Sequence, residues 1–185
     1  MEYSLSYWCD LYKKYKENSL CLDIETIGFN RAICMVGLYK PQDGLIDCDV
    51  FIRGKNLNKE ILKESFQGCK MIITYNGISF DIPRIKKEFP GVIPEDVQML
   101  DLYLLAKQLN YNTNLKLLES CMGIDRLHEE SKQRGIAIKL WRKYANGGNQ
   151  EALKKLIEYN KQDTINLYPL AEKLIKMAQK KINQN

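Results

Sequence analysis

Two carboxylates stand two residues apart in an apolar stretch near the N-terminus. The stretch L-C-L-D-I-E-T-I-G predicts a strand, and alternation along a strand points Asp23 and Glu25 at the same face. Like charges side by side in a buried strand are costly unless a cation joins them. The pair could therefore ligate a divalent metal ion, although a solvent-facing edge strand would explain the same pattern equally well.

Two further motifs place polar side chains where a site could form. Y-N-G-I-S-F-D-I-P puts Asn76 at a strand end and Asp81 at a helix start, which is where an open α/β sheet builds a site. A turn signal followed by a helix N-terminus would explain the same residues. E-Y-N-K-Q-D puts Tyr159 and Asp163 on one helix face. Taken alone, such a pair is ordinary at the border of a core stripe.

The three motifs together resemble those of the DEDD superfamily of exonucleases, which has the ribonuclease-H-like fold. D-x-E, Y-N-G-x-x-F-D-x-P and Y-x-x-x-D follow in that order. The histidine-type branch carries its histidine five residues before the last aspartate, where this chain has Glu158. Tyr159, four residues before Asp163, fits the tyrosine type, DEDDy, which includes the proofreading domains of family B DNA polymerases. The second half, with L-K-L-L-E-S-C-M-G-I-D-R and W-R-K-Y-A-N-G-G, is most similar to YprB-type predicted exonuclease domains, and the resemblance covers roughly residues 19–178.

The resemblance implies a site and a reaction. The implied catalytic residues are Asp23, Glu25, Asp81, Tyr159 and Asp163. The four carboxylates would ligate two Mg²⁺ or Mn²⁺ ions, which prefer oxygen ligands, and the tyrosine would orient the attacking water. The implied reaction is two-metal-ion hydrolysis of phosphodiester bonds at the 3′ end of single-stranded or frayed DNA or RNA, which releases nucleoside 5′-monophosphates.

Three more residues are expected at the substrate by the same resemblance. Thr26 follows the D-x-E pair, where relatives contact the terminal nucleotide. Phe29 matches the place of an apolar wedge that could stack on any base, although it could equally cap the core. Asn76 would support the site or the scissile nucleotide.

Two alternatives to an exonuclease stay open. The first is a catalytically idle nucleic-acid-binding domain that recruits a partner protein such as a helicase, a nuclease or a polymerase. The second is a structure-selective RNase of the same fold. The intact motifs count against idleness without excluding it. Nothing in the sequence is a recognisable reader of a 2′-hydroxyl group, so DNA and RNA are equally permitted.

The length and composition of the chain limit the number of domains, the partners and the kinds of site that it could have. The 185 residues are 45% hydrophobic and suit one domain over 1–185, and the net charge of +5 suits a polyanionic partner weakly. Without an apolar run of about 20 residues or signal-peptide features, we expect a soluble cytoplasmic protein and no membrane partner. Six cysteines without a C-x-x-C pair are expected to be reduced core residues. The single His128 argues against a histidine metal site or a Ser-His-Asp triad.

Hydrophobic periodicity predicts the elements that must position these residues. The predicted fold class is α/β, with a ribonuclease-H-like mixed sheet of three antiparallel and two parallel strands, flanking helices and a helix-rich C-terminal half. The strands are expected over 20–25, 32–39, 46–52, 71–75 and about 97–103. The helices are expected over 4–18, from an N-cap at Asn58, and over 81–89, 101–109, 113–122, 135–145 and 149–178. Pro169 is expected to kink or divide the last helix.

Overall fold

The structure, a computed structural model, describes residues 3–27, 32–41, 48–126 and 135–184. Within these ranges five strands form one sheet in the order β3-β2-β1-β4-β5. The strands are β1 Ser19–Ile27, β2 Ala32–Tyr39, β3 Asp49–Ile52, β4 Met71–Thr74 and β5 Gln98–Asp101. The predicted start of the third strand, at residue 46, lies outside the described residues.

The sheet changes from antiparallel to parallel pairing at β1. Strand β2 pairs antiparallel with β1 and β3, whereas β4 pairs parallel with β1 and β5. The predicted mixed sheet is thereby confirmed. Strand β1 is an interior strand of the sheet, and the Asp23 and Glu25 side chains are not solvent-facing, so the explanation by a solvent-facing edge strand is wrong.

Seven α-helices flank the sheet in the described part of the chain. They are α1 Leu5–Tyr15, α2 Lys59–Ser65, α3 Asp81–Glu88, α4 Leu102–Gln108, α5 Leu115–Cys121, α6 Ile136–Gly147 and α7 Gln150–Ile182, with a 3₁₀ turn over Lys16–Asn18. Helix α2 crosses between β3 and β4. The predicted N-cap is confirmed, since the Asn58 side chain accepts from the backbone N–H of Ile61.

Helix α7 runs through Pro169 without being divided there. The other expectation, a kink at the proline, stays a prediction. Proline removes one backbone hydrogen bond and crowds the preceding turn. The buried side chains of Leu167, Leu170 and Ala171 lie on both sides of it in the core. This packing holds the helix together, because tertiary burial contributes more to helix stability than local propensity does.

Alternation along β1 assigns its side chains to two layers. Leu20, Leu22 and Ile24 pack in a cluster with residues of α2 and α3, whereas Cys21 packs with residues of α1, α4 and α7. Asp23 and Glu25 have the same parity as Cys21 and therefore face the α7 layer. The helix that carries Tyr159 and Asp163 covers the D-x-E face.

Gly37 lets α7 approach the sheet closely at this point. It is the cross-strand partner of Asp23 on β2. A Cβ atom added at Gly37 would lie 2.3 Å from Thr164 Oγ1 and 2.5 Å from Asn160 Oδ1, both on α7. Any larger residue would push the helix away from the strand.

We predict that Gly37→Ala will destabilise the protein, because the added methyl group overlaps two buried side chains of α7. The expected loss is about 1–3 kcal/mol of unfolding free energy, which at this chain length lowers Tm by roughly 2–4 °C per kcal/mol. Gly147→Ala in α6 is the matched control, since nothing lies within 4 Å of its added Cβ. Thermal melts should show Tm unchanged or slightly raised for the control, and equal Tm values for both variants would contradict the close approach.

The remaining expectations from composition concern membranes and cysteines. Among the described helices, none combines the length and apolarity needed to cross a membrane. All six cysteines are free, and five are buried, whereas Cys121 is exposed. His128 lies outside the described residues.

Candidate active site

Three carboxylates converge where α7 crosses β1. Asp23, Glu25 and Asp163 each offer a carboxylate oxygen, and these oxygens all lie within 4.8 Å of one another. Two of the residues share a strand face and the third comes from the helix that covers that face. The tertiary fold thus joins the first and last sequence motifs in one acidic cluster.

Asp81 reaches the same strand from a different side. It is the first residue of α3, it is buried, and its Oδ1 accepts a hydrogen bond of 3.1 Å from the backbone N–H of Ile24. The parallel ladder between β1 and β4 ends at the Cys21–Ile73 pair. The Ile24 N–H therefore lies beyond the ladder, where a side chain can take it. Asp81 and Asp23 line one cavity.

The cluster holds its negative charges at a high electrostatic cost. Burial, followed by the neighbouring carboxylates, raises the pKa of Asp23 well above its ordinary value. Burial and Asp163 raise the pKa of Glu25 to about 8, and burial raises the pKa of Asp81 to about 7. Burial also raises the pKa of Asp163, against the opposing effect of Arg126. Such a group of acids binds either protons or cations at neutral pH.

The donor set of this cluster fits a hard divalent cation. Every candidate ligand is a carboxylate oxygen, which suits Mg²⁺ or Mn²⁺ better than Zn²⁺. Three oxygens already within 4.8 Å of one another could contact one ion after small side-chain rotations. Asp23 is the carboxylate that lies both in the three-membered cluster and in the cavity with Asp81.

Tyr159 lies one helical turn before Asp163, and its phenol is close enough to the carboxyl of Asp163 to lower the pKa of that group. Burial, followed by Asp163 and Glu25, raises the pKa of the Tyr159 phenol above its ordinary value. The phenol is therefore protonated at neutral pH and acts as a donor. The Lys116 ammonium lies 4.4 Å from the centre of the Tyr159 ring, which places a cation on the face of the site formed by α5.

Asn160 is a site residue that the sequence motifs did not single out. Its Nδ2 donates a 2.8 Å hydrogen bond to Asp23 Oδ2, and its backbone carbonyl accepts from Thr164 Oγ1 at 2.7 Å. Asn160 is fully buried. It occupies a core-facing position at helical spacing from Leu156, and a polar residue there was the available signal.

Glu119 and Arg126 were also missed. Arg126 Nη2 lies 2.6 Å from Asp163 Oδ1, and Arg126 Nε donates to Glu119 Oε2. The side chains of Arg126 and Glu119 are 4% and 0% exposed. Glu119 lies at core-facing spacing on α5 after Leu115, and an acid on that stripe was the available signal.

The three residues expected to contact the substrate lie in different surroundings from one another. A cavity of about 560 Å³ opens beside the carboxylates and is lined by Asn76 together with Tyr75, Phe80 and Tyr103. The Asn76 side chain is exposed, while its backbone N–H donates to Asp101 Oδ1 at 2.8 Å. Half-buried Thr26 follows a register irregularity in β1 after Glu25, whereas Phe29 lies outside the described residues.

Comparison with models of protein families identifies a superfamily. Residues 20–175 match a family model described as the RNase H superfamily. The chain belongs to the RNase H superfamily. Neither the curated proteins nor the solved structures contain a match to it.

Membership of the RNase H superfamily agrees with the observed architecture. The five-stranded mixed sheet with its helix-rich C-terminal half is an RNase H-like fold, as predicted. The superfamily suggests a nuclease-type hydrolase that acts on nucleic acid. It also makes divalent metal ions the expected cofactor for the buried acidic cluster of Asp23, Glu25 and Asp163.

Proposed function

We propose that this chain is a metal-dependent 3′→5′ exonuclease of the tyrosine-type DEDD branch, similar to the YprB-type domains. Its substrate is the 3′ end of single-stranded or frayed DNA or RNA, and its products are nucleoside 5′-monophosphates. The supporting observation is the convergence of Asp23, Glu25 and Asp163, with their raised pKa values, beside the Tyr159 phenol.

The proposed ligands divide into two groups that share Asp23. Glu25 and Asp163 would hold one Mg²⁺ or Mn²⁺ ion with it, and Asp81 would hold a second. Bound there, the two ions would supply an activated water and stabilise negative charge on the leaving 3′ oxygen. Asn160 supports this division, because its hydrogen bond to Asp23 Oδ2 fixes the carboxylate that both groups need.

Tyr159 and Lys116 are the residues proposed to orient the attacking water and the phosphate. The protonated Tyr159 phenol is a poor general base, so its proposed role is to position the attacking water. Lys116, above the tyrosine ring, is well placed to offset negative charge on the phosphate undergoing attack. These two residues approach the carboxylates from α7 and α5 and would fix the direction of attack.

The cavity beside the carboxylates is the proposed place for nucleotides. Tyr75, Phe80 and Tyr103 supply aromatic rings on which bases of any identity can stack. Asn76, on the same wall, offers an exposed amide for a phosphate or a sugar. Thr26 is the proposed contact to the terminal nucleotide, and Phe29 stays a prediction from the sequence.

The test is degradation of 5′-labelled single-stranded DNA and RNA oligonucleotides with Mg²⁺, with Mn²⁺ and with a chelator. We expect a ladder that shortens progressively from the 3′ end only when a divalent ion is present. A 3′-phosphate arm shows whether a free 3′-hydroxyl is required. Internal cuts without a ladder would favour the structure-selective RNase. Tight, salt-dependent binding without cleavage would favour the idle nucleic-acid-binding domain.

A further inference from the structure

Arg126 lies between two buried carboxylates that come from different helices. Its Nε donates to Glu119 of α5, and its Nη2 lies 2.6 Å from Asp163 Oδ1 on α7. All three side chains are at least nine-tenths buried, with exposures of 4% for Arg126, 0% for Glu119 and 8% for Asp163. One guanidinium therefore connects α5 to a candidate metal ligand.

Stability alone is a poor explanation for this arrangement. Removing a guanidinium and two carboxylates from water is costly, and well-packed apolar residues are often as stable or more stable in such places. Among the described residues, Arg126 Nη1 has no hydrogen-bond partner, and Nη2 meets Asp163 only as an ion pair. Glu119 Oε1 likewise lacks a hydrogen-bond partner in the described part of the chain.

We propose that Arg126 is a positioning residue that fixes the carboxylate of Asp163 toward Asp23 and Glu25, with Glu119 holding the guanidinium in place. The inference rests on the proposed function, because it assigns Asp163 to a metal ion. A carboxylate ligand held by a buried ion pair at 2.6 Å enters its metal site already oriented. Removing such an outer partner typically weakens metal affinity or activity by about 10- to 100-fold.

Whether metal binding becomes weaker or tighter without Arg126 distinguishes two effects of this residue, its positive charge and its hold on the Asp163 carboxylate. Deleting a positive charge close to a cation site favours cation binding through electrostatics alone. Loss of the fixed orientation of the Asp163 carboxylate weakens cation binding instead. Weaker binding after removal of Arg126 therefore identifies a positioning role, whereas tighter binding identifies a merely repulsive neighbour.

The experiment measures the Kd for Mn²⁺ by isothermal titration calorimetry on the full chain without nucleic acid, together with Tm. Arg126→Met alone would leave Glu119 buried and unpaired, so the main variant combines Glu119→Gln with Arg126→Met. This variant removes one charge of each sign, so the net charge beside the site does not change. We expect Tm close to the wild-type value and a Kd weaker by about 10-fold or more. An unchanged or tighter Kd would overturn the inference.

Two further variants sharpen the result. Arg126→Lys keeps the charge but loses the planar fork of donors, so it should also weaken Mn²⁺ binding, and wild-type affinity in this variant would overturn the orientation argument. The matched control combines Arg53→Met with Glu88→Gln, which removes an ion pair between α3 and the end of β3. That control should leave the Kd for Mn²⁺ unchanged.

The calorimetry also separates this inference from the proposed function. If the wild-type chain binds Mn²⁺ but degrades no oligonucleotide, the exonuclease proposal fails while the comparison of Kd values still decides the role of Arg126. If the wild-type chain degrades oligonucleotides and the double variant keeps wild-type affinity, only the positioning role of Arg126 is wrong.

Discussion

Replacing Asp163 with asparagine will abolish metal-dependent degradation of oligonucleotides while the fold is retained. Asparagine has nearly the volume of aspartate but carries no negative charge, and it would leave Asp23 and Glu25 without the third carboxylate of the cluster. We expect a fall in rate of at least about 100-fold, the upper end of the loss for a mere outer-shell partner. Single-turnover degradation of a 5′-labelled oligonucleotide in Mn²⁺ measures it.

Asp96→Asn is the matched control for that variant. Asp96 pairs with Lys70 at the surface, with a side chain 66% exposed, and lies outside the acidic cluster. Its rate should equal that of the wild type. Asp23→Asn should be as inactive as Asp163→Asn, because Asp23 belongs to both proposed ligand groups. Wild-type rates in both cluster variants would show that catalysis occurs elsewhere on the chain.

The metal-free protein will lose stability as pH rises from about 4 to about 8, and divalent ions will restore it. The raised pKa values of Glu25, about 8, and Asp81, about 7, mean that the folded state binds more protons than the unfolded state between about pH 4 and those values. Stability falls with pH wherever the folded state binds more protons. The contribution is therefore fully present only below about pH 4, falls as pH rises, and is lost once both groups are ionised in the folded state. Thermal melts in a chelator and in Mn²⁺ across this pH range measure it.

Asp23→Asn isolates the acidic cluster from the other ionisable groups in that measurement. It removes one of the crowded charges that raise the pKa of Asp23 and its neighbours. Without metal, the variant should melt above the wild type near pH 8, by roughly 2–4 °C per kcal/mol of relieved repulsion, and the difference should shrink in acid. Mn²⁺ should stabilise the wild type far more than the variant. A wild type that becomes more stable relative to Asp23→Asn as pH rises would contradict this account.

Local patterns in the sequence predicted most of the elements. The apolar run over residues 32–39 was predicted to be a strand with the bounds that β2 has, and the N-cap at Asn58 was identified from the residue type. The helix is not divided at Pro169, because a local rule about proline competes with packing that depends on the whole core. The third strand could be compared only from residue 48 onward.

The residues of the candidate site also include some that the sequence predicted and some that it did not. The sequence motifs predicted Asp23, Glu25 and Asp163 as site residues, and the structure brings the carboxylates of these three residues together. Their catalytic roles, and those of Asp81 and Tyr159, remain predictions that the variants above address. The sequence did not predict the roles of Asn160 and Arg126. The role of a buried polar residue depends on its contact partner, and the partners of these two residues, Asp23 and Asp163, are distant in sequence.

The sequence by itself determined that two carboxylates share one face of a buried strand, because the period of two is a local property of the backbone. It also determined that Tyr159 and Asp163 share a helix face, since helical spacing is equally local. Only the tertiary structure decided that α7 lies across that strand face. The close approach at Gly37 and the contacts of Asn160 and Arg126 depend on packing between segments far apart in the chain. That packing turns separate acidic residues into a cluster with raised pKa values, because burial and charge proximity are properties of the folded molecule.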